Sequence, residues 1–512
     1  MLGRAPDSRG LRYLAASVFA LGLAVSVAAL VATWHRPITD AHSFRQTQTA
    51  ITAYWIGHGG PLLAYHTPVL GAPWSVPFEL PVFQAVVAAV HQVLPVSWDA
   101  TGRIVSWLFF AATLWQLYSL VRALDGAREL GLLVCGLVAM SPLYVFWSRA
   151  FMIESTALCF SVAFVHASVR HVRAPTVVTG IALVVLAAVA GLVKLTTFLP
   201  FGIAGALVVM WDLRDPAHRK DRRRWLVHYL PVAVAGVIAV AAVLAWTSYA
   251  DSIKLDHPFG RSLTSDKLSP WLYGPIAQRW SPGLWRDVIF GRTLSETLGG
   301  VVPLVVAIGA AIAFGRAAIA WLGLLIGLYL VPFLVFTNLH AVHNYYQYAN
   351  ALFVVAAIGV VAWHARDRWQ RWLAVGLVAV TAIMQIVHLA RVEWPMMRAD
   401  LRKTDTMQLR RALRDLPADG VILVFGYDWS AEVAYYAQRR AITVPAWASR
   451  EQLESLRDQP MLHTDGHPIV AVVDCPNPLH GSPDLGAIFD AILADQTRGR
   501  REMSVAACKV WR

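Results

Sequence analysis

Charge is scarce in this sequence: Asp, Glu, Lys and Arg make up 15% of its 512 residues, against about 25% in ordinary globular chains. With 57% hydrophobic residues and a mean hydropathy of +0.51, a soluble fold could not cover its own surface. Disordered, collagenous and ordinary cytosolic classes are thereby excluded. Cysteine is also rare, four residues in the whole chain, which rules out a disulfide framework. Cys135 and Cys159 sit in apolar runs and read as inert packing residues. Cys475 and Cys508 fall at the ends of strand-like segments, and whether they pair in an oxidising compartment stays open. Acidic residues number 32 against 44 basic ones, a net charge of +12. In a soluble protein this would suggest nucleic acid, but no zinc-type spacing, RNP motif or basic-aromatic stripe accompanies it. In a membrane protein the same excess is a topology signal, because Lys and Arg collect in cytoplasmic loops and face anionic headgroups.

What is abundant is long apolar sequence, with 21 Trp of the kind that gathers at membrane interfaces. Runs of spanning length occur near 12–34, 103–121, 129–147, 153–170, 176–193, 197–213, 226–247, 299–315, 317–336, 346–364 and 370–391. The first follows Arg4, Arg9 and Arg12 and reads as a retained helix with its amino end inside. Residues 81–96 are apolar but short, carry Gln84, His91 and Gln92, and have Pro near both ends. If they do not cross, the short inside segments hold 17 Lys and Arg and the short outside loops hold two, Arg149 and Lys194. Counting them as a span would move loop 212–224, with six cations, outside. The positive-inside rule therefore makes 81–96 a juxtamembrane helix on the outer face.

The expected fold is an α-helical polytopic membrane protein of about eleven transmembrane helices over residues 1–391, followed by a small extracytoplasmic α/β domain over 392–512. The outer segments are 35–102, 248–298 and this tail. The tail opens with RADLRKTDTMQLRRALRDLP, which reads as an amphipathic helix. VILVFGY, AITVP, PIVAVVDC and a closing MSVAACKVW then read as strands, alternating with helices near 429–439, 449–457 and 484–494.

Polar residues in or beside membrane spans are costly and are functional candidates by default. Here they gather at one side. HRPITDAHSFRQTQTA supplies Asp40, His42, Arg45, Gln46 and Gln48; WSRAFMIESTA supplies Arg149 and Glu154; GLVKLTTF supplies Lys194; TNLHAVHNYYQY supplies His340, His343, Asn344, Tyr345 and Tyr346. Each has a plainer reading taken alone. Asp40 could cap the helix starting near Ser43, and Arg149 and Glu154 could be an interfacial ion pair. Lys194 could snorkel, and the tyrosines could be interface anchors. Four such segments at one depth and face favour a membrane-embedded site for a phosphate-bearing lipid.

These motifs, in this order, resemble the GT-C superfamily of integral-membrane glycosyltransferases. The likeness is to the family 39 group of protein O-mannosyltransferases and lipid A aminoarabinose transferases. It is carried by Asp40 opening the first outer loop, the juxtamembrane helix, RIVSWLFFAATLWQLYSLVRAL, SPLYVFWSRAFMIES, GLVKLTTFLP and HNYYQY, over roughly residues 30–390. Where the family often has Asp-Glu, this chain has Asp40-Ala41-His42, which leaves any divalent-metal role open. The resemblance implies an inverting transfer of a sugar from a polyprenyl-phosphate donor to a glycan, lipid or protein acceptor at the outer face of a bacterial inner membrane. Asp40 is then the general base. Arg45, Arg149, Lys194, Tyr345 and Tyr346 meet the lipid phosphate, and His42, Glu154 and His343 are supporting or metal-binding groups. Membrane lipids are partners and nucleic acid is not. A transporter or flippase, or a non-catalytic envelope-assembly subunit, are the rival classes. A transporter would be expected to show repeats or midplane polar groups, and neither is evident here. On this reading Lys194→Ala or Arg149→Ala should weaken donor use while leaving expression intact.

The 17-to-2 basic split puts the amino terminus and loop 212–224 inside, and residues 35–102, 248–298 and 392–512 outside. Single cysteines introduced at Ser281 and Gln438 should react with an impermeant thiol reagent in intact cells. Protection of either position overturns this topology.

Overall fold

A computed structural model describes residues 9–512 of the chain; Arg4, and the terminus expected inside, lie outside the described residues. Seven helices are long and apolar enough to cross a membrane, eight if the bent pair Gly283–Leu298 and Val302–Phe314 is one span. The expected runs map onto them unevenly, for identifiable reasons. Run 129–147 is broken into α5 (Arg128–Met140) and α6 (Pro142–Trp147), because Pro142 has no N–H to continue the first helix and is at home opening the second. Run 153–170 becomes α7 (Glu154–Arg173). It has the length of a span but carries Ser, Thr and His, tolerable because most of the helix is covered by protein. Runs 176–193 and 197–213 form α8 (Val177–Asp212), interrupted at Lys194, whose backbone leaves the helix at φ −168°, ψ 96°. Residues 81–96 contain one short apolar helix, Val82–Val93.

The chain divides into two compact units. The first comprises the described residues up to Trp34, with Arg103–Ala245 and Ser269–Arg398. Its centre is the helix Gln347–Trp363, buried on every side, which is why it is apolar all round and studded with small residues. Buried amide nitrogens in this unit find backbone acceptors: Asn350 Nδ2 donates to Tyr329 O at 2.6 Å, and Gln385 Nε2 to Thr297 O at 2.9 Å. The first helix, α1 (Arg9–Thr33), approaches α5 through facing glycines. A Cβ on Gly22 would lie 2.4 Å from Gly136 O, and one on Gly136 would lie 2.6 Å from Phe19 N. Between apolar helices in lipid, such close backbone approach supplies the packing that the hydrophobic effect cannot.

The second unit joins residues His35–Gly102, Trp246–Leu268 and Ala399–Arg512. Its sheet has strands β1 (Val421–Phe425), β2 (Arg440–Thr443), β3 (Ile469–Asp474), β4 (Glu502–Val505) and β5 (Cys508–Trp511), in the order β2-β1-β3-β5-β4. The first three are parallel and the last two antiparallel. The expected single strand MSVAACKVW is therefore a hairpin, turned at Ala506 with φ 55°. Cys475 and Cys508 are disulfide-bonded, tying the end of β3 to β5. The expected long amphipathic helix is shorter, Asp405–Leu413 after a turn at Leu401–Lys403.

The edge of β2 is covered by the first outer segment. Ala441 N donates to Pro68 O at 3.0 Å, Thr443 N to Val69 O at 2.6 Å, and Gly71 N to Ala441 O at 3.1 Å. The second outer segment joins through His257, whose buried Nε2 lies 3.1 Å from Gly71 O. Gln452 Nε2 donates to Pro258 O at 2.9 Å. An exposed sheet edge invites wrong pairing, and a covered one does not.

Gly136→Val forces its new atoms onto the Phe19 backbone, which cannot rotate away as a side chain could. A loss of about 1–3 kcal/mol is expected from such overpacking, read as a lower melting temperature in detergent. Gly309→Ala, where no atom lies within 4 Å of the new Cβ, should be neutral. Equal behaviour of the two variants would remove the close contact between α1 and α5.

Candidate active site

In the first unit the anchor is a buried ion pair. Lys194 Nζ lies 2.6 and 2.5 Å from the two carboxylate oxygens of Glu154, with both side chains about 95% or more buried. Glu154 opens α7, after the turn through 148–153, and Lys194 sits at the break in α8. The ammonium also faces aromatic rings, 3.9 Å from the centroid of Tyr346 and 5.4 Å from that of Tyr345. Such cation–π contacts strengthen as water is excluded. The two tyrosines stack at 4.6 Å, and His343 stacks on Tyr345 at 5.2 Å.

This aromatic turn, Asn344–Tyr346, is fixed from below. Arg292 donates to the carbonyls of His340 and Ala341, and Asn344 Nδ2 to Glu296 Oε1 at 3.0 Å. His340 is fully buried beside it. Burial, then the positive charges of Lys194 and Arg292, push its pKa down to about 3. Arg149, also buried, donates Nε to Met397 Sδ at 2.9 Å and lies 4.6 Å over the Phe146 ring. Arg103, which the sequence reading passed over, donates to the Arg149 carbonyl at 3.4 Å.

Two of the plainer readings fail here. Glu154 is paired with Lys194, so it is not merely the partner of Arg149. Lys194 is buried against a carboxylate, so it is not snorkelling. The expectation that Lys194→Ala leaves expression intact also needs correction. Removing the ammonium leaves an uncompensated carboxylate inside the protein, which is strongly destabilising.

In the second unit, Asp40 lies partly exposed just before α2 (Ser43–Gly57). Its Oδ1 accepts from Gln46 Nε2 at 2.7 Å and from Ala41 N at 3.0 Å. The helix cap is His42, in the left-handed conformation at φ 46° and with no side-chain cap bond. Capping is thus not what Asp40 does. The flanks of the loop are held by the tail: Ile38 N donates to Tyr436 Oη at 2.8 Å, and Ser43 Oγ to Glu432 Oε1 at 2.7 Å.

Arg45, one turn into α2, pairs with Glu79. Glu79 is the sole acid in a proline-bounded apolar stretch, WSVPFELP, and that isolation was its signal in the sequence. Tyr65 braces the same corner, accepting from Phe78 N at 2.7 Å and donating to Glu79 O at 3.1 Å. Nothing in the sequence pointed to Asp99, Tyr435, Tyr436 or Glu432, whose partners are hundreds of residues away. Among the described residues no three His, Cys, Asp or Glu side chains are grouped to hold a metal ion. With Glu154 engaged by Lys194 and His343 stacked on Tyr345, the residues named for a metal do not form a ligand set.

Residues 75–246 match the model of the dolichyl-phosphate-mannose-protein mannosyltransferase family. By sequence, no curated protein matches the chain. Solved structures do match. ArnT from Cupriavidus metallidurans bound to undecaprenyl phosphate superposes with a TM-score of 0.59 at 12% identity, covering 96% of this chain and 97% of that one. The apo oligosaccharyltransferase of Archaeoglobus fulgidus gives 0.51 at 12% identity, over 94% of this chain and 71% of that one. A mutant of the arabinofuranosyltransferase AftD from Mycobacteria gives 0.52 at 13% identity, over 99% of this chain and 42% of that one.

Lys194→Met alone should cost about 3–5 kcal/mol of stability, whereas Lys194→Met with Glu154→Gln should recover most of it, since the unpaired charge is gone. Thermal unfolding in detergent reads the difference. Equal stability of the single and double variants would mean that the pair is not buried. At these identities the likeness is of fold, and it is the one the motifs anticipated: the chain is a multi-pass membrane protein with the GT-C fold, carrying the mannosyltransferase family's sequence pattern over residues 75–246.

Proposed function

We propose that the chain is an inverting glycosyltransferase that moves a sugar from a polyprenyl-phosphate donor to an acceptor at the outer face of a bacterial inner membrane, with its C-terminal α/β part periplasmic. The observation that carries this reading is the buried Lys194–Glu154 pair facing Tyr345 and Tyr346, with an apolar cavity of about 780 Å³ along the part of α8 that follows Lys194, lined by Leu195, Phe198 and Leu199 among others. A lipid phosphate needs both features at once, cations at its head and an apolar trough for its chain. Lys194 and Arg149 supply the positive side chains that an incoming phosphate would meet. Preorganised cations of this kind stabilise the charge that grows on a phosphate leaving group. The likeness to an undecaprenyl phosphate complex across nearly the whole chain supports the same donor class.

Asp40 is the proposed base. An acceptor hydroxyl is a poor nucleophile until a positioned carboxylate takes its proton. The Gln46 amide and the Ala41 N–H steady one oxygen of Asp40, and a single in-line displacement inverts the anomeric centre. Arg45, clamped by Glu79, supports the loop from its helix and supplies a further cation for the phosphate.

Asp40→Asn keeps the size of the side chain and an oxygen to accept from Gln46, but cannot take a proton. Purified protein in vesicles containing a polyprenyl-phosphate sugar should transfer or hydrolyse it, and the variant should fold normally yet lose about 10²–10⁴-fold in rate. Near-wild-type turnover by the variant would pass the role of base to Glu79, Glu154 or His42. Failure of the unaltered protein to consume any such donor would sink the transferase reading itself.

A further inference from the structure

The amphipathic segment at the start of the tail has no part in the reading above. Its helix, Asp405–Leu413, buries Thr406, Met407, Leu409 and Leu413 and leaves Arg410 and Arg411 exposed. Two cavities of the second unit, about 570 and 580 Å³, share Arg410 and Arg411 in their walls. Arg414 and Arg439 add to the first, Arg36 and Arg402 to the second. Each cavity has one acid. In the first, Asp99 accepts from Tyr435 Oη at 2.5 Å and Tyr436 Oη at 3.1 Å. In the second, Asp400 Oδ1 accepts from Arg402 N at 3.2 Å.

Three of these arginines, Arg410, Arg411 and Arg439, are held without being neutralised, whereas Arg414 meets its neighbour Asp415 at 3.3 Å. Arg439 donates to the carbonyls of Leu416, Pro417, Ala437 and Gln438, and Arg411 to that of Arg402 at 2.8 Å. Arg410 lies 5.9 Å over the Tyr436 ring. A carbonyl or a ring orients a guanidinium but does not cancel its charge. Among the described residues neither Arg410, Arg411 nor Arg439 forms an ion pair with a carboxylate. Like charges crowded this way repel one another until an anion joins them.

The basic side chains lining both cavities are arginines and a histidine, His35, with no lysine. A planar guanidinium fork meets two phosphate oxygens at once, where an ammonium meets one. Volumes of this order suit a small ligand or a headgroup. We propose that this arginine groove is a binding site for a phosphate-bearing anion, supplied either by the headgroup of an anionic lipid or by a soluble phosphorylated compound. The inference does not rest on the transferase reading.

The test uses the full chain in phosphatidylcholine nanodiscs, titrated with inorganic pyrophosphate by calorimetry. A parallel set contains phosphatidylglycerol, with lipid retention read by native mass spectrometry. Saturable pyrophosphate binding supports the soluble source, and selective retention of phosphatidylglycerol supports the lipid. In whichever arm binds, Arg410→Gln with Arg411→Gln should weaken binding at least about tenfold, because two charge-assisted contacts are lost. Arg410→Lys with Arg411→Lys, which keeps the charge but not the fork, should fall between. Arg450→Gln with Arg457→Gln removes the same charge from a helix that lines neither cavity and should leave binding unchanged. The proposal is overturned if neither probe binds, if the Arg410/Arg411 glutamine variant binds like the unaltered chain, or if the control pair weakens binding equally.

Discussion

A charge withdrawn from water must find its opposite, and in the membrane part of this protein that requirement is met by Lys194 and Glu154. The two side chains come from helices that meet only in the folded bundle, and neither could stay buried alone without a penalty of several kcal/mol. Much of the local architecture follows. α8 gives up helical geometry at the residue that must reach the carboxylate. α7 begins at the residue that supplies it. The turn Asn344–Tyr346 lays two ring faces against the ammonium, and Arg292 and Asn344 hold that turn through backbone and carboxylate contacts. A helix so committed to polar neighbours need not be apolar throughout, which accounts for the Ser, Thr and His content of α7.

The second unit obeys a different constraint, the satisfaction of backbone groups at a sheet edge. β2 would present unpaired donors and acceptors had residues 68–71 not laid themselves along it. That strip belongs to the same outer segment as Asp40, so covering the edge also draws the Asp40 loop to the tail. Tyr436 and Glu432 then grip it on both sides. The same helix that carries Glu432 presents Tyr435 and Tyr436 to Asp99. Burial and the neighbouring Asp99 charge raise the Tyr435 phenol well above its ordinary range, so it remains a proton donor to that carboxylate.

Much of this was written in local pattern. Apolar runs, basic loops and the alternation of strand and helix in the tail identified a polytopic helical protein with a small α/β part, because hydropathy and periodicity are properties of neighbouring residues. Asp40, Arg149, Glu154, Lys194 and the Tyr345–Tyr346 pair stood out as polar residues beside apolar stretches, where their cost marks them. Break points went unread even where a proline makes one, as at Pro142 within run 129–147. They were not legible either where a turn needed only a left-handed alanine, as at Ala506 in the closing hairpin.

Partnership was the part that the sequence left undecided. Glu154 is five residues from Arg149 and forty from Lys194, yet its carboxylate belongs to Lys194. Asp40 precedes a helix in the manner of a cap, yet His42 occupies the cap position and Asp40 takes the Gln46 amide instead. Cys475 and Cys508 could equally have stayed apart until β3 and β5 were seen side by side. Composition and spacing determine what each residue costs to bury and which elements it favours, since those are local energies. Which opposite charge, hydroxyl or sheet edge meets it is decided only when distant segments close on one another.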